Sequence, residues 1–211
     1  MANSILYLGD TALGGAAAYL AGVMTRAGLT FDYRPSDAAL RADDIAAPHA
    51  LYVLSDYAAK MIAPTLQERI VENVARGAGL LMLGGWETYC GLGGDWTGTP
   101  IAQVLPVEIA TTDDRRNCDD GARPLRARAA SGRRQASRRG QTPIIGGFNE
   151  VRAKPNGELL LTARRFRATF AGDKVQLALA CASAAGRWCA RTRSHGRLHD
   201  RFRAALGRSA G

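Results

Sequence analysis

The sequence lacks any continuous run of 18 apolar residues, which excludes a conventional membrane-spanning helix. Its first ten residues, MANSILYLGD, also lack the basic and apolar segments of a secretory signal peptide, so we expect a cytoplasmic protein. The four cysteines show no metal-type spacing, which fits a reducing compartment and predicts no metal site. The chain has neither a GxGxxG motif nor a GK pair followed by Ser or Thr, and the sequence therefore predicts no cofactor.

Lysine is scarce as well, because only three of the 28 basic side chains are lysines. Residues 1–120 contain 8 basic and 15 acidic side chains, whereas residues 121–211 contain 20 and 4, which together give the net charge of +9. Such asymmetry is typical of proteins that bind nucleic acid. Residues 121–140, however, contain no aromatic side chain for base stacking, and no motif of a nucleic-acid-binding module is present. We do not expect nucleic acid as the physiological partner, and a basic nucleic-acid-associated protein is the last alternative.

Short apolar runs alternate with helical patterns in the first 110 residues. The predicted strands are 4–8, 30–33, 51–54 and 80–83, and the predicted helices are 13–27, 64–76 and 100–105. Strands that are apolar along their whole length are typical of a parallel sheet covered by helices on both faces. The sequence therefore predicts an α/β fold with a mostly parallel sheet.

The segment 79–109 contains the strongest candidate for a binding site. Its apolar run ends at Gly84 and Gly85, and Trp86 and Glu87 follow at once. Ligands of parallel α/β sheets bind beyond the carboxyl ends of the strands. An aromatic face beside a carboxylate suits an amine, a sugar or a heterocycle. We therefore predict that these four residues bind a small polar ligand.

Other polar residues also follow predicted strands. Asp10, Ser55 and Asp56 stand at the ends of the first and third apolar runs, and Asp113 and Asp114 follow a later one. They could meet in one crevice as an acid–base pair or as part of a ligand site. Alternatively, Asp and Ser at these positions cap the helix that follows. We predict Asp10, Ser55 and Asp56 as ligand-binding residues and keep the capping role as the alternative.

Several short motifs resemble a known family. They are LYLGDT at 6–11, YLAGV at 19–23, LSDY at 54–57, GGWETY at 84–89, TPI at 99–101, VLPV at 104–107 and DDR at 113–115. By these motifs the chain resembles the class I glutamine amidotransferase-like superfamily, in a branch of bacterial cytoplasmic proteins. The resemblance implies a flavodoxin-like, three-layer α/β/α fold and allows for a homo-oligomer, since these are common in the superfamily.

The resemblance also implies that the nucleophile of active members is absent from this chain. Active members carry a cysteine at the apex of the turn after a buried strand, with a histidine as general base. This alignment places Trp86 at the apex, Cys90 four residues later and His49 before the turn. We therefore expect no glutaminase activity, and we expect a catalytically silent protein that binds a small polar ligand or a partner at the Gly84–Cys90 turn. The alternative is an amidase or hydrolase that uses Cys90 or the carboxylates.

Two segments depart from the family pattern. Residues 121–140 contain seven arginines and no acid, and residues 171–211 are again rich in arginine, alanine and glycine. We predict a family domain at 1–170, with an atypical segment at 121–140, and a basic tail at 171–211. One explanation for both is GC-rich DNA translated in a shifted frame, and the other is a divergent insertion and tail. Resequencing the coding DNA distinguishes them, because an unbroken frame would contradict the first.

Overall fold

The computed structural model of the chain describes four separate ranges of the backbone. These are residues 5–126, 144–171, 174–181 and 188–189, and side chains are described for residues 5–125 and 144–165. Most of the segment 121–140 and of the tail 171–211 lies outside these ranges. The described residues therefore do not test the shifted-frame hypothesis.

Fourteen elements follow one another in the described residues. They are β1 (Ile5–Gly9), α1 (Ala18–Arg26), β2 (Phe31–Pro35), β3 (Leu51–Ser55), α2 (Pro64–Ala75), β4 (Gly79–Leu83), α3 (Pro100–Val104), β5 (Val107–Glu108), β6 (Arg115–Arg126), β7 (Ile145–Asn149), β8 (Arg152–Ala153), β9 (Leu161–Ala171), β10 (Lys174–Cys181) and β11 (Trp188–Cys189). Single 3-10 turns occur at Ala42–Ile45 and Ala59–Met61.

The central sheet has the strand order β11-β4-β3-β1-β2. β1 to β4 are parallel, with Ile5 of β1 paired to Phe31 of β2 and to Leu51 of β3. The short β11 runs antiparallel beside β4. The prediction of an α/β, flavodoxin-like fold with a mostly parallel sheet is thus confirmed. None of the described helices is long and apolar enough to cross a membrane.

Alternate residues of β1 enter the two hydrophobic cores. Leu6 and Leu8 pack in the core on one side of the sheet, which includes Ile70 of α2. Ile5 and Tyr7 pack on the other side, in the core that includes residues of α1. This alternation follows from the two-residue repeat of a strand, and it explains why β1 is apolar along its whole length.

The helix α1 begins later than its sequence predicts. Residues 13–17 form turns, and the helix starts at Ala18 instead of residue 13. Gly14 and Gly15 weaken helix formation at this point, since each glycine costs about 1 kcal/mol relative to alanine in a helix. The Asp10 carboxylate also accepts a hydrogen bond from the Ala16 N–H, which fixes the loop before the helix.

A second sheet lies outside the predicted architecture of the first 110 residues. It is antiparallel, with the order β10-β9-β6-β7, and a short β5–β8 pair accompanies it. β6 carries an irregularity between Asn117 and Ala122 where it pairs with β7. A small core of Cys118, Ala122 and Ala163 lies beneath this sheet.

Candidate functional site

The turn after β4 requires glycine at two successive positions. A Cβ on Gly84 would lie 2.5 Å from Oδ1 of Asn149, and a Cβ on Gly85 would lie 2.6 Å from Oδ1 of Asp56. Both distances are far below van der Waals contact. The glycine pair therefore allows two polar side chains from distant segments to reach the backbone of the turn.

Asp56 supports the turn from β3. Its backbone N–H donates to Oγ1 of the buried Thr88 at 3.0 Å, and its carboxylate accepts the N–H of Glu87. Asp56 has a φ of +56°, a left-handed conformation that Asp tolerates better than most residues. Asp56 thus adopts an unfavourable backbone conformation while it binds Thr88 and Glu87, two residues of the turn.

Asp114 and Asn149 support the same turn from the other side. The Asp114 carboxylate is 1% exposed and accepts hydrogen bonds from the Cys90 N–H and from Nδ2 of Asn149, both at 2.8 Å. Nδ2 of Asn149 also donates to the Gly85 carbonyl at 3.2 Å. The polar network therefore joins the turn to the start of β6 and the end of β7.

An open cleft of about 620 Å³ lies between this turn and the β6–β7 strands. Its lining residues are Leu83, Gly84, Gly85, Trp86, Tyr89, Asp113, Arg115, Arg116, Asn117, Gly146, Gly147, Phe148 and Asn149. The set combines aromatic rings, glycine backbone and hydrogen-bonding side chains. Such a mixture is typical of a small-molecule site.

Arg115 is held by an ion pair and by an aromatic contact within the cleft. Its Nε and Nη2 donate to the two carboxylate oxygens of Asp113 at 2.9 and 2.7 Å. Its guanidinium lies 4.9 Å from the centre of the Trp86 ring, in a cation–π contact. The hydrogen bonds from Arg115 lower the pKa of Asp113 to about 2, so this carboxylate is ionised at neutral pH.

Arg116 is the second arginine of the cleft. Its Nε donates to Glu150 at 2.7 Å, and its Nη1 donates to the carbonyls of Asp113 and Arg115. Tyr89, by contrast, is buried, and burial raises the pKa of its phenol, which donates to the Met82 carbonyl. Tyr89 therefore contributes a neutral aromatic wall.

Five of the seven predicted ligand-binding residues lie at the cleft or in the turn beneath it. Gly84, Gly85 and Trp86 line the cleft, and the Trp86 side chain is 65% exposed. Asp56 and Glu87 do not line it, but they form the hydrogen bond that shapes the turn.

Asp10 and Ser55 lie away from the cleft. The Asp10 carboxylate accepts the N–H groups of Thr11 and Ala16 in the loop before α1. The N-cap residue of α1 is Ala17 and has no side-chain hydrogen bond, so the alternative that Asp10 caps this helix is not what the structure shows. The Ser55 side chain is a hydrogen-bond partner of the Tyr7 phenol. Neither residue touches the cleft in the described part of the chain, and their ligand-binding role stays a prediction without support from the geometry.

The thiol and imidazole that glutaminase chemistry needs do not meet in the described residues. Cys90 presents its backbone N–H to Asp114 and does not line the cleft, and Cys118 is buried. His49 precedes β3, at the amino edge of the sheet, where its Nε2 lies 2.7 Å from the Asp44 carbonyl. The two other histidines of the chain, at 195 and 199, lie outside the described residues. No described group of His, Cys, Asp or Glu is arranged to hold a metal ion.

Sequence reasoning missed most of the opposite wall of the cleft. Arg115 belongs to the DDR motif and could have been singled out, because an arginine beside two acids after a strand is a common ion-pair pattern. Arg116 and Asn117 follow it without a distinctive pattern. Asn149 comes after a Gly-Gly-Phe sequence, which reads as a turn, and nothing local indicates its contact with Gly85.

A parallel α/β sheet with a cleft beyond the carboxyl end of one strand is the arrangement in which proteins of this class bind their ligands. This chain belongs to the family described as "putative glutamine amidotransferase", whose family model matches residues 32–190. The match includes the arginine-rich segment 121–140 within its span, and the predicted boundary at residue 170 stays a prediction.

Two solved structures share the fold. One is the cytoplasmic protein STM3548 from Salmonella typhimurium, with a TM-score of 0.64 and 22% identity over 76% of this chain and 78% of that chain. The other is the cytoplasmic protein STM1381 from Salmonella typhimurium LT2, with a TM-score of 0.63 and 22% identity over 76% and 79%. No curated protein matches the chain. At this level of identity the structural likeness concerns the fold.

Proposed function

We propose that this chain is a catalytically silent member of its family that binds a small polar ligand in the cleft above the Gly84–Cys90 turn. The observation that carries the proposal is the side chain at the apex of the turn. By the resemblance of the sequence to the family, Trp86 takes the position at which active members carry the nucleophilic cysteine. Its largely exposed ring lines the cleft. An indole presents an aromatic face to a ligand and has no nucleophilic atom for acyl transfer.

The position of His49 supports the absence of glutaminase chemistry. A general base must come within about 3 Å of the proton it removes. His49 lies before the five-residue strand β3, whereas the turn lies beyond the carboxyl end of the neighbouring β4. Five strand residues span roughly 16 Å, so this imidazole cannot serve a nucleophile in the cleft.

The dimensions of the cleft support ligand binding. Its volume of about 620 Å³ falls within the roughly 300–1,000 Å³ typical of small-molecule sites. Its walls are held in place before any ligand arrives, by Asp56 on one side and by Asp114 and Asn149 on the other. A preorganised site needs less ordering on binding and therefore keeps more of its interaction energy as affinity.

A cytoplasmic location accords with the proposal. Both structural neighbours are named as cytoplasmic proteins, and a small polar metabolite would reach the cleft there. The predicted homo-oligomer and a protein partner at the same turn stay predictions.

Two assays test the predicted absence of glutaminase activity. One measures ammonia release from glutamine, and the other measures labelling by a thiol-reactive glutamine analogue. We expect no release above background and no labelling of Cys90 that glutamine prevents. The Cys90→Ser variant is the matched control, since it should behave as the wild type in both assays. Glutamine-protected labelling at Cys90 with measurable ammonia release would favour the alternative amidase or hydrolase.

Replacing the apex residue gives a second test. In the Trp86→Cys variant the new thiol should react with iodoacetamide, because the apex side chain lines the cleft. The variant should still release no ammonia, since the described residues provide no imidazole at this edge of the sheet. Restored glutaminase activity would contradict the proposal and would indicate a base from residues outside the described ranges.

Ligand binding itself can be followed through tryptophan fluorescence. The chain has three tryptophans, and side chains are described for two of them: Trp86 is 65% exposed and Trp96 is fully buried. Of these two, a ligand in the cleft should quench mainly Trp86. Glutamate, glutamine, glucose and adenosine are suitable first probes. We expect saturable quenching by at least one polar probe in the wild type and its loss in Trp86→Phe. Equal quenching in both proteins would contradict binding in this cleft.

A further inference from the structure

The guanidinium of Arg115 retains unused hydrogen-bond donors. An arginine has five N–H groups, and Asp113 takes two of them, one on Nε and one on Nη2. Among the described residues, none accepts a hydrogen bond from Nη1 of Arg115. Both N–H groups of Nη1 and the second N–H of Nη2 therefore remain for a ligand.

Two contacts fix the orientation of this guanidinium. Nε and Nη2 of Arg115 donate to the Asp113 carboxylate, and Cζ of Arg115 lies 4.9 Å from the centroid of the Trp86 ring. The Arg115 side chain is only 23% exposed. A fixed arginine loses little side-chain entropy when it binds a ligand, and its planar fork matches the two oxygens of an oxyanion.

The residues beside Arg115 add donors to the same wall. Arg116 lines the cleft, and its Nη2 has no partner among the described residues. Asn117 also lines the cleft, and its exposed carboxamide can donate two further N–H groups. The acceptor oxygens of Asp113 are already engaged by Arg115. This wall therefore suits a ligand that accepts hydrogen bonds.

We propose that the ligand of this cleft carries a carboxylate or phosphate group that accepts hydrogen bonds from Nη1 and Nη2 of Arg115. The proposal rests on the proposed binding function and names the chemical class of its ligand. Asp113 and Glu150 balance the charges of the two arginines, so recognition depends on hydrogen-bond geometry more than on net charge. Binding should accordingly change little between low and moderate salt.

Isothermal titration at constant ionic strength tests the proposal with three probes. They are succinate, inorganic phosphate and succinamide, the last being a neutral analogue of the first. We expect succinate or phosphate to bind and succinamide to bind at least about tenfold more weakly, because hydrogen bonds to charged acceptors are the stronger ones. The better of the two anions identifies the group.

The Arg115→Gln variant should weaken binding of the preferred anion about tenfold or more. Arg115→Lys should bind it with intermediate affinity, because lysine keeps the charge and loses the fork. Arg76→Gln is the matched control: it removes the same charge from an exposed arginine paired to Glu72 on α2 and should bind as the wild type. Circular dichroism verifies that each variant is folded.

Equal affinity of Arg115→Gln and Arg76→Gln for the anion would overturn the inference, as would succinamide binding as tightly as succinate. If a neutral probe quenches Trp86 while neither anion binds, the ligand class is wrong and the proposed binding function still holds. If no probe of either kind binds in the cleft, both proposals fall.

Discussion

Replacing Asp114 by asparagine should destabilise the whole site without changing its shape. The Asp114 carboxylate is buried and accepts one N–H from Cys90 and one from Asn149, each at 2.8 Å. An asparagine at this position has one carbonyl oxygen and one NH₂ group. With the geometry unchanged, one of the two N–H donors then faces the NH₂ group of the new asparagine, at a position that is 1% exposed.

The expected loss of stability follows from the one hydrogen bond that the substitution removes. One hydrogen bond to a charged acceptor contributes about 1.5–3 kcal/mol, and this contribution is lost. The neutral amide avoids the cost of burying a carboxylate, which offsets part of the loss. We therefore expect the free energy of unfolding to fall by about 2 kcal/mol, a large share of the roughly 5–15 kcal/mol that stabilises a typical domain.

Urea unfolding followed by circular dichroism measures this change. Asp119→Asn is the matched control, because Asp119 lies on β6, which begins directly after Asp114, and its side chain is exposed. This substitution should change stability by less than about 0.5 kcal/mol. If the two variants unfold at the same urea concentration, the buried network does not support the turn and the reasoning is refuted.

Gly85→Ala would place a Cβ 2.6 Å from Oδ1 of Asp56 and should destabilise the protein by about 1–3 kcal/mol. Gly22→Ala is the control: Gly22 lies within α1 with open space around it, and this change should stabilise the protein by about 0.5–1 kcal/mol. If the melting temperatures of both variants shift in the same direction, the proposed crowding at Gly85 is contradicted. The Asp113 carboxyl should titrate by NMR at about pH 2, and because its folded pKa is lowered, its ion pair contributes stability above about pH 4 that is lost as the pH falls through 2. In Arg115→Gln this pKa should return towards 3.8, and an unchanged midpoint would mean that Arg115 is not the cause.

The parallel sheet could be predicted from sequence because its determinants are local. β1, β3 and β4 are uninterrupted apolar runs, and each is found within one residue of its predicted bounds. The helix α2 is predicted at 64–76 and found at Pro64–Ala75, since Pro64 favours its first turn and Gly77 ends it. Because the strands of this sheet are covered on both faces, few residue types other than apolar ones fit in them.

The second sheet and the far wall of the cleft have no comparable local pattern. β6 has the sequence RRNCDDGARPLR, in which polar residues do not alternate with apolar ones. Its partners in β7 and β9 lie 23 to 43 residues away in the sequence, and an irregularity interrupts the register with β7. Asn149 reaches the Gly85 carbonyl across 64 residues of sequence, and only the assembled fold brings the two together.

The hydrogen bonds that shape the turn do not depend on the side chain at position 86. Asp56, Asp114 and Asn149 bind backbone groups of Gly85, Glu87 and Cys90, and Asp56 also binds the Thr88 hydroxyl. None of these bonds involves the side chain at the apex, so the turn keeps its form whichever residue stands at position 86. The indole of Trp86 contacts the guanidinium of Arg115 instead, and the two side chains form one wall of the cleft. Under the proposed function, the backbone framework of the turn therefore presents an aromatic face to the ligand.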